Sequence, residues 1–282
     1  MKKHSIFLIF YALLLLTALP LPAQDRFREE PIQLLIEGDT LFGTMTLPEK
    51  ADSKSPVSLI IAGSGPTDRN GNNPMMTNNS LQMLAHALAE RGIASLRYDK
   101  RGIAESKAAM VEESQLRFED YIRDARAWTE KIREDYELGE ISIIGHSEGS
   151  LIGMQVALQA DVDKFVSLAG PAESADQILR QQLADQPDPI KAPSYQIIEQ
   201  LAAGDTVGNV PMQLYALFRP SVQPYLISWF AYEPQNVIEQ LKMPVLIVQG
   251  TTDIQVSVAQ AQMLAKSAPQ AQLLIVEGMN HI

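Results

Sequence analysis

The stretch Ile141-Ser142-Ile143-Ile144-Gly145-His146-Ser147-Glu148-Gly149-Ser150 decides the fold. Ile141 to Ile144 is the short apolar run of a strand buried in a sheet, and Leu151 to Ala160 behind it has the spacing of a helix. Between them lies G-x-S-x-G, a common pattern that gains meaning only from a strand before it and a helix after it. A serine on so strained a turn needs Gly145 and Gly149, because side chains two positions either side would collide with neighbouring backbone. Ser147 then presents its hydroxyl above the C-terminal edge of the sheet. The competing reading is a Gly-rich turn whose serine caps the following helix.

Outward from this stretch, strand and helix alternate. Ile32 to Ile36 and Leu41 to Leu47 read as a hairpin turned by Glu37-Gly38-Asp39-Thr40. After a polar loop, Val57 to Ala62 is a buried strand. Leu81 to Arg91 has helical spacing and stops at Gly92, and Ile93 to Tyr98 is a strand. Phe118 to Arg133 is an amphipathic helix. Lys164 to Leu168, Val245 to Val248 and Leu273 to Val276 are strands, with a helix over Val256 to Ala265. The alternation implies right-handed crossovers and a mostly parallel sheet covered by helices on both faces, an α/β fold. About 70 residues between Pro171 and Pro244 break it, too many for a plain loop. Helical spacing at Ile178 to Leu183, Tyr195 to Ala203, Met212 to Phe218 and Val237 to Leu241 makes this insertion a helical cap at about 171–243. The aromatic group Tyr225, Trp229, Phe230 and Tyr232 reads as packing between cap and body in preference to the lining of an acyl pocket.

The chain of 282 residues has 46% hydrophobic and 20% charged residues, ordinary values for a globular domain. Zero cysteines exclude a disulfide framework, a thiolate nucleophile and a zinc-thiolate site. A net charge of −11 argues against a nucleic-acid partner, which calls for clustered Lys and Arg. Lys2 and Lys3, the apolar run Ile6 to Leu19 and the small-residue end at Ala23 are ordered as in a secretory signal. The 14 residues of that run span about 21 Å of helix, short of a roughly 30 Å bilayer core. Residues 1–23 are therefore read as a removed signal, with no stable membrane anchor after removal, and residues 24–282 as an exported domain, periplasmic or extracellular.

A serine hydroxyl needs a base to take its proton as it attacks. Of four histidines, His4 leaves with the signal, His86 lies inside a helix and His146 is fixed in the turn. That leaves His281, on a loop after the last strand, at the sheet edge where open α/β sheets hold their sites. The imidazole needs an acid to orient it. Asp253, in Gly250-Thr251-Thr252-Asp253 just past a strand, is preferred to the rival Glu173, because no long segment could carry it away; it could alternatively cap the helix near Val256. Developing oxyanion charge calls for backbone donors, read as the N–H of Glu148 and one from Gly63-Ser64-Gly65-Pro66, Gly65 first and Ser64 second. The Glu148 carboxylate is read as solvated in preference to holding a substrate amine. No phosphate-loop or dinucleotide fingerprint is present, and no metal or cofactor is called for.

Gly63-Ser64-Gly65-Pro66-Thr67-Asp68-Arg69-Asn70-Gly71-Asn72, Arg97-Tyr98-Asp99-Lys100-Arg101-Gly102 and Gly145-His146-Ser147-Glu148-Gly149 together give a chain that resembles the α/β-hydrolase superfamily from about Ile32 onward. It looks most like bacterial carboxylesterases related to serine aminopeptidase-type hydrolases. The resemblance implies an α/β-hydrolase fold, the chain order Ser147, Asp253, His281 for a catalytic triad, and a metal-free ester hydrolase acting on a small-molecule ester through an acyl-enzyme. It also implies that Asp99 and Arg101 brace the site by a salt bridge. Ala104 and Ser150 stand where many relatives carry Gly, and relatives continue with a further helix after the histidine. Peptidase or amidase chemistry on the same triad, or a binding protein that kept the fold without catalysis, are the alternatives.

Overall fold

The computed structural model describes residues 27–110 and 112–281; the secretory-signal reading of residues 1–23 lies outside them. Eight strands form one sheet: β1 Phe27–Ile36, β2 Asp39–Pro48, β3 Val57–Ile61, β4 Ala94–Tyr98, β5 Ile141–His146, β6 Lys164–Leu168, β7 Val245–Gly250 and β8 Gln272–Val276, in the order β1-β2-β4-β3-β5-β6-β7-β8. The hairpin partner β2 is antiparallel to β1 and β4, and β3 to β8 run parallel. The chain moves from β3 to β4 on one side and then returns to β5 on the other. This reversal opens a crevice at the C-terminal ends of β3 and β5, where sheets of this kind bind ligands.

Every residue of β3 and β4 is buried, as expected of strands covered on both faces. The alternation of β3 shows the two layers. Ile60 and Ala62, with Ile144, pack against Leu81 and Ala85 of α1, Ser80–Ala89. Val57, Leu59 and Ile61 join the larger core around Trp128. That core takes its helical wall from α2, Phe118–Asp135, and α3, Glu148–Gln159. Helix α2 buries Phe118, Tyr121, Ile122, Ala125, Trp128 and Ile132, the i, i+3, i+4 stripe of an amphipathic helix. Its first turn is closed by the Asp120 carboxylate accepting the Arg117 N–H at 2.8 Å. Among the described residues no helix is long and apolar enough to cross a membrane.

Between β6 and β7 the chain forms α4 Ala175–Gln182, α5 Asp188–Ala202, α6 Tyr215–Phe218, α7 Gln223–Phe230 and α8 Pro234–Ile238; α9 Val258–Ser267 precedes β8. Helix α7 has no counterpart in the helical pattern read from sequence. It is apolar on most sides and carries Pro224 as its second residue, so it shows no polar face and no cap. Its aromatic side chains pack on the start of α2: Trp229 stacks on Phe118 with centroids 6.0 Å apart, and Tyr225 meets Tyr121 edge-on at 5.6 Å. The packing role expected for this aromatic group is the one observed.

Candidate active site

Ser147 sits between β5 and α3 with φ +54° and ψ −121°, a conformation L-residues avoid. Its neighbours leave no room for side chains. A Cβ on Gly145 would stand 2.2 Å from the Gly149 carbonyl oxygen, and one on Gly149 would stand 2.4 Å from that of Ile61. The turn is held by the Ser147 N–H donating to the Leu168 carbonyl at 2.9 Å.

Behind β8, His281 Nδ1 lies 2.8 Å from Asp253 Oδ2. Asp253 also accepts Gln249 Nε2 at 2.8 Å and the backbone N–H groups of Gln255 and Val256 at 2.8 and 2.9 Å. It thus holds the His281 imidazole and closes the turn ahead of α9; the helix starts at Val258 behind the N-cap Ser257, so Asp253 does not cap it. Burial pushes the Asp253 carboxyl up, but the hydrogen bonds from His281, Val256 and Gln249 and the charge of His281 together hold it below the usual carboxylate range. The rival Glu173 is turned elsewhere and accepts the side-chain amides of Gln181 and Gln260. His86 lies outside the site, bonded to Glu29 at 2.9 Å and stacked on Phe27.

His146 Nε2 is 2.7 Å from the His281 carbonyl. A carbonyl only accepts, so the proton sits on His146 Nε2. Burial, then the neighbouring imidazole of His281, lowers the His146 pKa to about 4. His146 is therefore a neutral donor that pins the backbone of His281.

The loop after β3 approaches the serine closely: a Cβ on Gly63 would stand 3.1 Å from Ser147 Cβ. Asp68 shapes the loop by accepting the Asn70 and Asn72 N–H groups. The N–H groups of Ser64, Gly65 and Glu148 donate to no other group among the described residues. Ser64, Thr67, Asn73, Ser80 and Gln255 line, with Ser147, His146 and His281, a pocket of about 130 Å³. Among the described residues no group of three or more His, Asp and Glu is placed to hold a metal ion.

Two sequence expectations are corrected here. The Glu148 carboxylate is buried, not solvated: Oε2 accepts Lys100 Nζ at 2.6 Å and Oε1 accepts the Tyr225 hydroxyl. Asp99 and Arg101 do not pair with each other. The turn sends them apart, Asp99 to the Arg69 backbone N–H at 2.8 Å and its guanidinium at 2.6 Å, and Arg101 to Asp124 at 2.8 and 3.0 Å. Lys100, which sequence reasoning missed, bonds the Gly63 carbonyl at 2.7 Å. A charged residue between two charged turn residues gives no signal of burial.

A family model described as serine aminopeptidase, S33, matches residues 76–201. The esterase EstD of Thermotoga maritima is 24% identical over 272 residues, 92% of this chain and 60% of that protein, so the chain spans about three fifths of this relative's length. Among solved structures, Est1E from Butyrivibrio proteoclasticus superposes with a TM-score of 0.61 at 19% identity, covering 89% of this chain and 90% of the other. The Pyrococcus furiosus esterase Pf2001 does so with 0.62 at 17% identity, covering 90% and 84%. With its eight-stranded, mostly parallel sheet and its serine turn after β5, the chain has the α/β-hydrolase fold and resembles bacterial esterases.

Proposed function

We propose that the chain is an exported serine hydrolase that cleaves small carboxylic esters through an acyl-enzyme. The observation that carries this reading is the 2.8 Å hydrogen bond from His281 to Asp253 on the wall of the pocket that Ser147 also lines. With Nδ1 engaged, His281 Nε2 is free to take the Ser147 proton as Oγ attacks the ester carbonyl. Asp253, kept ionised, stabilises the imidazolium. The imidazolium returns the proton to the leaving alcohol, and a water deprotonated by the same nitrogen cleaves the acyl-serine. The oxyanion takes the Glu148 N–H and one loop N–H. Of the two loop candidates Ser64 is favoured over Gly65, because its peptide begins at Gly63, packed against Ser147, whereas a Cβ on Gly65 meets nothing within 4 Å. Export rests on Lys2-Lys3 and the run Ile6 to Leu19.

The matching family model also suggests aminopeptidase chemistry. An aminopeptidase needs an anion for the substrate ammonium, yet none of the residues lining the pocket is Asp or Glu, and both Glu148 oxygens are already engaged. Ester cleavage is the better fit. The polar lining, with Leu81 its one large apolar side chain, suits short or hydroxylated acyl groups. A panel of p-nitrophenyl esters of rising acyl length, run beside aminoacyl p-nitroanilides, tests this. Short esters are expected to be turned over fastest, with fluorophosphonate labelling confined to Ser147. Turnover of anilides alone, or labelling that survives Ser147→Ala, overturns the reading.

A further inference from the structure

Lys100 is a buried cation bonded to the residue after Ser147, with its side chain 1% exposed. An ammonium has three donors, and each has a partner: the Gly63 carbonyl at 2.7 Å, Glu148 Oε2 at 2.6 Å, and the face of Tyr121, 4.9 Å from the ring centroid. Lys100 follows β4, Gly63 follows β3 and Glu148 follows β5. These three strands are neighbours, so one side chain from the outer strand spans the crevice at the reversal point. Its two polar partners belong to the two segments that supply the oxyanion donors of the proposed acyl transfer, on which this inference rests.

The Gly63 carbonyl and the Ser64 N–H are two ends of one trans peptide and point in opposite directions. A cation on the oxygen fixes the plane, so it fixes where the N–H points. It also draws electron density toward the oxygen and makes the N–H a better donor. On the other side, Glu148 anchors the first residue of α3, whose N–H is the second donor, and the Tyr225 hydroxyl on Oε1 ties α7 to the same carboxylate. A buried ion pair is a poor source of stability compared with apolar packing of similar volume, which leaves orientation as its use here.

We propose that Lys100 is a positioning residue that aligns and polarises the Gly63–Ser64 peptide for the oxyanion. Lys100→Met removes the donor but strands a buried carboxylate, so Lys100→Met/Glu148→Gln is made beside it, with Glu148→Gln alone as the control that keeps Lys100 on Gly63. Thermal unfolding and the kinetics of a short p-nitrophenyl ester are measured on all three. The double variant is expected to regain most of the melting temperature lost by Lys100→Met, while kcat stays about 10- to 100-fold down and KM moves less than about threefold, part of the loss known for deleting an oxyanion donor. Affinity for a trifluoromethyl ketone, whose hemiketal oxygen occupies the oxyanion site, falls in the same ratio. Glu148→Gln, which touches the segment of the second donor, is expected to lose less kcat than the double variant, the difference between the two being the share of Lys100. A double variant with wild-type kcat, or a loss confined to KM, overturns the positioning role. Wild-type protein that neither turns over esters nor labels at Ser147 instead overturns the acyl-transfer reading, and the inference with it.

Discussion

At Ser147 a β-carbon is held at φ +54°, where glycine is the residue at ease. The surroundings impose this, and strain of this kind costs about 1–3 kcal/mol. Ser147→Gly and Ser147→Ala are both expected to lose several orders of magnitude in turnover. In urea unfolding Ser147→Gly is expected to be the more stable of the two by about 1 kcal/mol; equal stabilities count against the strain. His146 yields a pH prediction. Its folded pKa, about 4, lies below the ordinary imidazole value of 6.5. Between these values the unfolded chain binds more protons than the folded one, so the contribution of His146 to stability is full above 6.5 and drains away as pH falls toward 4. His146→Gln, which keeps an N–H donor for the His281 carbonyl, is expected to flatten the stability curve in that window, read as the difference between the two urea-denaturation series. Much of the candidate site was legible at this scale because four histidines leave few choices and because paired glycines announce the turn. The Lys100–Glu148 pair was illegible: its members are 48 positions apart, and charged residues are most often at the surface.

Elements were legible where burial was uniform. The runs at β3 and β4 are buried throughout and mostly apolar, with Ser58, Ser95 and Arg97 the buried exceptions, as suits strands covered on both faces. Strand β1 begins at Phe27, five residues before its apolar run, since Arg28, Glu29 and Glu30 pair in register with Leu47, Thr46 and Met45 although they carry no strand pattern. The polar start is in use: Glu29 meets Arg97, buried on β4. Helix α7 was illegible for the opposite reason, having too little polarity to show a period. Its tie to the serine turn is a single hydroxyl. Tyr225→Phe keeps the aromatic packing on Phe118 and Tyr121 and leaves Glu148 Oε1 without its donor. A hydrogen bond to a charged group is worth about 1.5–3 kcal/mol, and a loss of that size in urea unfolding is expected. An unchanged midpoint would mean that water replaces the hydroxyl.

For the whole molecule, the order of apolar and polar runs was enough to reach an α/β architecture, because alternating strands and helices admit few arrangements. Which strands become neighbours follows from long-range pairing that no local pattern records. Export belongs to this scale as well. Cell fractionation is expected to find the mature protein outside the cytoplasm with its N-terminus near Gln24, and a cytoplasmic form that begins at Met1 would count against the signal. One further consequence follows from the sheet. Gly63, Lys100, Ser147, Asp253 and His281 each follow a different strand, β3, β4, β5, β7 and β8, so no local segment contains two of these five residues. Such non-local pairings form late, after the entropy of closing long loops has been overcome. On the proposed acyl-transfer reading, turnover needs all of these segments docked, and a chain still folding, with Ser147 apart from His281, is expected to be inert toward esters.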